Sequence, residues 1–203
     1  MHALATLIVT AFFASASPDS DAARERVAVL AGGCFWGMEA VFERLTGVAD
    51  VVSGFSGGSS WTAHYAVVGL GVTNHAEAVR ITYDPQTISY DTLLKVYFSV
   101  AHDPTQLNRQ GPDQGRQYRS SIFYLDEDQR QAAHAAIGRL DASDQYDGRI
   151  VTTVVPFEGF FPAGPEHQDF LIRHPTYPYI VVHDLPKLER LEAEFPELLN
   201  TED

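Results

Sequence analysis

The chain has 203 residues, 45% of them hydrophobic, with 27 acidic against 14 Lys and Arg residues and a formal net charge of -13. That length and apolar content suit one globular domain with a sizeable core. The acidity argues against nucleic acid and against anionic membrane surfaces as partners.

Residues 3–14 form an apolar run (ALATLIVTAFFA), followed by the small-x-small triplet Ala14-Ser15-Ala16 and a polar stretch from Pro18. This predicts a signal peptide over residues 1–16 and a linker over 17–26. The run is too short to span a bilayer as a stable helix, and its leading residues, Met1 and His2, include no Lys or Arg. The expectation is export, to a periplasmic location; the alternative is a cytoplasmic protein with an apolar N-terminus. In an oxidising compartment the single cysteine, Cys34, has no internal disulfide partner and is either buried and inert or reactive.

Further along, RVAVLA (26–31) reads as a short buried strand broken by Gly32-Gly33. Met38, Val41, Phe42 and Leu45 then fall at helical spacing, and Gly47 ends that helix. Strands are predicted over 51–55 and 76–83, the latter alternating and closed by Asp84-Pro85. A helix over 89–101 carries Leu93, Leu94, Tyr97, Phe98 and Ala101 on one face; a loop covers 105–117 and a strand 120–125. Asp126 caps an Ala-rich helix to about residue 140, with Gln129 three residues on. A strand over 150–156, a short helix over 166–172 and a charged C-terminal tail with an apolar stripe of Leu188, Leu191 and Phe195 complete the pass. The chain shows no internal repeat. The mixture of alternating elements and hairpin-like pairs favours an α+β fold, a two-layer α/β sandwich.

A strand, a glycine pair and a helix place Cys34 at a helix N-terminus, where orphan N–H groups and the helix dipole favour a thiolate. Phe35 and Trp36 beside it suggest a small apolar pocket at the nucleophile.

At this point the chain resembles the A-type peptide methionine sulfoxide reductases. The resemblance rests on GCFWG (33–37), GFSGG (54–58), the isolated Tyr65, HAEAV (75–79), YDP (83–85), HDPT (102–105), QGPDQGRQYRS (110–120) and EHQDFL (166–171), all in the family's order. It implies a catalytic domain over 27–185 with a helical tail over 186–203, and a ferredoxin-like (α-β plait) core with a mixed sheet. It also implies thiol-dependent reduction of methionine S-sulfoxide, free or in proteins, through a cysteine sulfenic acid. Cys34 is then the nucleophile and Glu77 the acid. Tyr65 and Tyr118 hydrogen-bond the sulfoxide oxygen, Asp113 orders the site, and Phe35 and Trp36 enclose the S-methyl group. A carboxyl that donates a proton near neutral pH needs a raised pKa, and burial beside the rings would supply it. No prosthetic cofactor is implied, only an external thiol reductant, thioredoxin-like or small. The expected state is a monomer, free of membrane and nucleic acid.

Three departures from the family pattern stand out. Phe55 replaces a common tyrosine. Asn74 replaces a common glycine before HAE, which Asn tolerates next best if positive φ is needed. The C-terminal segment HPTYPYIVVHDLPKLERL holds no cysteine, so no second thiol is present to resolve a sulfenic acid. His75, His102 and His167 have no metal-ligand spacing, so no metal is expected. Two alternatives remain: a cysteine hydrolase or acyltransferase with His75 or His102 as base, and a secreted binding module in which Cys34 is merely buried.

Overall fold

The structure is a computed structural model and describes residues 25–200. The leader expected over 1–16 lies outside the described residues, as does the linker up to residue 24.

The RVAVLA run forms β1 (Arg26–Gly32). Gly33, at φ +94, turns the chain into α1 (Phe35–Glu43), with Cys34 as N-cap. β2 (Val48–Ser56) starts three residues earlier than expected and carries an irregularity between Val48 and Asp50. The four-residue α2 (Tyr65–Val68) had no counterpart in the sequence pattern. β3 (Ala76–Tyr83) matches its predicted bounds. The predicted helix over 89–101 is α3 (Tyr90–Val96), where the Ser89 hydroxyl accepts from the Thr92 N–H, continued by a π turn over Tyr97–Ala101. The predicted loop contains a tiny hairpin, β4 (Arg109–Gln110) with β5 (Asp113–Gln114).

β6 (Ser120–Tyr124) leads to α4 (Glu127–Asp141), where the Asp126 carboxylate accepts from the Gln129 N–H at 2.8 Å. β7 (Thr153–Pro156) is shorter than expected, and β8 (Phe160–Pro162) escaped the sequence reading. Only the end of the helix predicted over 166–172 is helical, as α5 (Phe170–Arg173), because Asp169 sits in the left-handed region at φ 52. A second π turn, Ile180–Asp184, opens α6 (Leu185–Glu194). Asn74 is not at positive φ: among the described non-glycine residues only Asn108 and Asp169 are.

The six-stranded sheet runs β7-β6-β1-β3-β2-β8. All its pairs are antiparallel except β6–β7, for which α4 supplies the crossover a parallel pair needs. The architecture is therefore mixed α+β on a mixed sheet. Strand parity sorts the sheet faces. Ala28, Leu30, Val79 and Ile81 join the main core with residues of α1, α3, α4 and α6. Val29, Ala31, Ala76, Ala78 and Phe123 form a smaller cluster. Leu188, Leu191 and Phe195, the apolar stripe of the tail, are all in the main core.

One buried carboxyl joins three elements. Glu39 of α1 is 1% exposed and accepts from the Ser53 N–H of β2 at 3.3 Å and the Asp169 N–H at 3.0 Å. Burial pushes its pKa up from 4.5 to about 7. A folded pKa above the unfolded one favours folding fully below about 4.5, and the advantage is lost as pH rises through about 7. Glu39→Gln is therefore expected to be less stable than the parent at pH 5, with the gap narrowing by on the order of 2 kcal/mol by pH 8. Calorimetric melts across that range check this; a constant gap would mean Glu39 stays ionised throughout.

Candidate active site

The register Leu30↔Val79 of the β1–β3 pair, extended by two residues, sets Glu77 opposite Gly32, just before the turn into α1. Glu77 shares its strand face with Val79 and Ile81, so its carboxyl points under the helices; the residue is 2% exposed. There its Oε2 accepts the N–H of Phe35, the first residue of α1, at 3.2 Å. Burial pushes the Glu77 pKa to about 8, opposed by that N–H and assisted by the charge of Asp113. The carboxyl therefore holds its proton at neutral pH.

The glycine pair is needed for close approach. A Cβ on Gly33 would lie 2.5 Å from Gln110 Cγ, and one on Gly32 would lie 2.8 Å from the His102 ring. Gln110 is fixed by both amide atoms, accepting from Asp103 N–H at 3.2 Å and donating to Asp103 C=O at 3.0 Å.

Cys34 departs from its expected setting. It is 7% exposed, and burial pushes its thiol well above the ordinary range, helped by Glu77 and Asp184. The Trp36 N–H and Lys187 pull the other way but do not prevail. The helix terminus is present, yet desolvation outweighs it. The resting sulfur is a thiol beneath the surface, not an accessible thiolate.

The rings surround this point. Phe35 is fully buried, with ring centroids 5.8 Å from Phe55 and 6.2 Å from Tyr65. Trp36 is half-buried and stacks on Phe170 of α5 at 3.8 Å, with Tyr179 edge-on at 6.0 Å. His167 packs on Tyr65 at 4.0 Å and on Phe35 at 5.5 Å. Tyr65, on α2, is 40% exposed; its pKa is pushed up to about 12 by burial and by Glu77, Cys34 and Asp113. Tyr118 is raised by burial and the same three neighbours together with Tyr65. Both phenols therefore remain hydrogen-bond donors. Arg119 holds the Tyr118 segment to the start of β3, donating to Asn74 C=O at 3.0 Å and His75 C=O at 3.1 Å. The seven residues expected at the site thus converge on the N-terminal turn of α1.

Sequence reasoning missed Tyr179, whose hydroxyl donates to Asp113 Oδ2. It also missed Asp184 and Lys187, which adjoin the first turn of α1. Tyr179 lies in TYPYIVV, a segment read only for its missing cysteine; the contact to Asp113 spans 66 residues. The histidines do not serve Cys34 as a base. His102 is held neutral, its pKa pushed to about 4 by burial, with Nδ1 against Tyr97 C=O at 2.9 Å and Nε2 against Ser120 Oγ at 2.7 Å. His75 Nε2 is engaged by Ser59 C=O at 3.0 Å, and its Nδ1 is buried without a partner.

A thiol, a protonated carboxyl and two phenols in an aromatic enclosure define a thiol-based oxidoreductase rather than a Cys-His hydrolase. Comparison with known proteins narrows this. The family model for peptide methionine sulfoxide reductase matches residues 26–198, and the chain belongs to that family. A Synechocystis sp. relative, peptide methionine sulfoxide reductase MsrA 2, is 53% identical over 175 residues, covering 86% of this chain and 82% of the relative. Its counterpart from Mesorhizobium japonicum is 54% identical over 171 residues, covering 84% and 88%. Methionine sulfoxide reductase A of Corynebacterium diphtheriae superposes with a TM-score of 0.71 at 33% identity, over 75% of this chain and 76% of that one. Reduced Mxr1 from Saccharomyces cerevisiae gives 0.70 at 29% identity, over 77% and 90%.

Asp113→Ala and Tyr179→Phe should each lower kcat/KM, and the double variant should lose little more than the worse single one, because both remove the same hydrogen bond. A double-mutant cycle on kcat/KM checks this. Fully additive losses would show that the two residues act separately.

Proposed function

We propose that Cys34 attacks the sulfur of a bound methionine S-sulfoxide while Glu77 delivers a proton to its oxygen. The enzyme is a peptide-methionine (S)-S-oxide reductase that returns methionine sulfoxide to methionine. The residue roles rest on one observation above all: Glu77, buried and neutral at pH 7, accepts from the first N–H of the helix that Cys34 caps. A neutral carboxyl beside a nucleophile is a general acid.

The steps balance as follows. Tyr65 and Tyr118 donate to the sulfoxide oxygen and Trp36 contacts the methyl group, with Phe35 as the packed floor beneath. Substrate displaces the water that would otherwise compete for these donors. As Glu77 protonates the oxygen, the Cys34 proton passes to the vacated Glu77 carboxylate and the thiol sulfur bonds to the substrate sulfur. The hydroxyl then shifts to Cys34 as the substrate S–O bond and the new S–S bond break, releasing methionine and leaving a sulfenic acid. A fixed methyl seat and a fixed oxygen site present one handedness to the thiol, in accord with S-epimer selectivity.

Recycling needs two electrons from outside. Cys34 is the only cysteine of the chain, so an external thiol condenses with the sulfenic acid, water leaves, and a second thiol releases the mixed disulfide. A thioredoxin-like protein or a small thiol fits this role. The N-terminal apolar run supports export to a periplasmic location with removal of residues 1–16, and the acidic surface supports a monomer that binds neither membrane nor nucleic acid. Residues 27–185 carry the catalytic elements and 186–203 the tail. The central order β6-β1-β3-β2, wholly antiparallel with α1 and α3 as crossovers, supports a ferredoxin-like plait as the core.

Single-turnover experiments test the chemistry. Reduced enzyme with excess S-sulfoxide and no reductant should yield about one methionine per chain and a dimedone adduct on Cys34; repeated turnover without any thiol would refute the scheme. Because the raised Glu77 pKa keeps the acid protonated below pH 8 and ionised above, the sulfoxide-reduction step should slow as pH climbs through about 8. Glu77→Gln should reduce that step by ~10²–10⁴-fold and erase this limb of the pH profile. An unchanged single-turnover rate in the variant would exclude the acid role.

A further inference from the structure

Beyond the residues that surround the substrate, GCFWG contains a glycine whose presence none of the preceding chemistry explains. Gly37 lies within the first turn of α1 and is not at positive φ, so it is not required for a turn. It is required for space. A Cβ there would overlap Asp184 Oδ1 and come within 2.8 Å of Lys187 Nζ. The two charged ends thus rest on bare backbone three residues beyond Cys34. Cys34 is the N-cap and Gly37 the third residue of the helix, so the pair lies against the turn that Cys34 opens.

Asp184 is 0% exposed and its Oδ1 accepts from Lys187 Nζ at 3.1 Å, while its Oδ2 is buried without a partner. Lys187, whose side chain is 17% exposed, follows it at i+3 across the junction from the second π turn into α6. Burying such a pair costs about as much in desolvation as its attraction returns, so stability alone does not account for it. Glu77 faces Cys34 from β3 and Asp184 faces it from the π turn, both as potential negative charges. Tyr65, Tyr118 and Tyr179 border it as neutral phenols. Lys187 is the one cation found to act on Cys34 among the described residues.

We propose that Lys187, tethered by Asp184 in the space Gly37 leaves open, is a positioning residue whose ammonium offsets the negative charge that the Cys34 sulfur acquires during attack. The inference rests on the reading of Cys34 as nucleophile and adds the group that makes its thiolate attainable in a buried, acidic site. Asp184 fixes where the ammonium sits and, through its own charge, limits how far the thiol is acidified. The two members of the pair should therefore act on the sulfur with opposite sign, which packing alone would not produce.

The experiment follows iodoacetamide alkylation of the full chain from pH 7 up to about 11.5, a range extended upward because burial raises the thiol, and a single cysteine identifies the labelled thiol. K187M should raise the midpoint of the rate profile by about one pH unit and slow alkylation at pH 8 by about tenfold. K187R should stay near the parent, and D184N should lower the midpoint. A K187M profile superimposed on the parent, or K187M and D184N shifts in the same direction, would overturn the proposal. If K187M does not fold, D184N and K187R still decide: an unchanged or raised D184N midpoint, or a raised K187R midpoint, overturns it. Full turnover by C34S would instead overturn the nucleophile assignment, a separate failure.

Discussion

A proton held on one buried carboxyl is the condition on which the rest of the site depends. An ionised carboxylate at the position of Glu77 would face a low dielectric, with Asp113 adding a second negative charge. Among the described residues no cation is bonded to it; the hydrogen bond it accepts is from the Phe35 N–H. The protein therefore keeps the group neutral, and neutrality is what the reaction needs from it. Every feature that seals the site contributes to that outcome: the inward parity of β3, the buried Phe35 ring, and the aromatic stack of Trp36 on Phe170. The same sealing raises Cys34, so the thiol and the carboxyl both rest in their protonated forms.

The electrostatic balance also describes the ligand. Glu77, Asp113 and Asp184 bring carboxyl groups to one helix end, with Lys187 beside them, in a chain of net charge -13. Such a place is poorly suited to an anion. A sulfoxide carries no net charge but a strong S–O dipole, whose negative end needs hydrogen-bond donors and whose methyl end needs apolar contact. Phenols kept protonated by burial meet the first need and aromatic rings the second. A site with this composition discriminates by dipole and shape rather than by ion pairing, in keeping with His75 and His102 being engaged away from Cys34.

How much of this was legible beforehand depended on the range of the interactions. Local signals worked: Gly33 as the turn before a helix, Asp126 as a cap, the alternation of 76–83, and the apolar stripe at Leu188, Leu191 and Phe195. The parity of β3 even contained the burial of Glu77, since it shares a face with Val79 and Ile81. Long-range contacts were hidden. β8 is only three residues and gains its identity from pairing with β2. Tyr179, Asp184 and Lys187 come from a segment far from Cys34 in sequence, and no periodicity announces that their side chains turn back to α1. The expectation of a thiol acidified by its helix terminus is not met, for a related reason. A helix terminus is visible in sequence, whereas desolvation is a property of everything folded over it. Asn74 shows the converse: a residue that tolerates left-handed backbone occupies an ordinary conformation here.

The ends of the sheet carry a different kind of consequence. Both outer strands are short, four residues for β7 and three for β8, and each finishes on a proline, Pro156 and Pro162. Proline offers no N–H to a further strand, and a short edge gives little length for one to align. An enzyme that handles oxidised polypeptide works close to loosened, extended backbone, the material most prone to add itself to an open sheet. Borders this short and closed by proline give such chains little backbone to pair with.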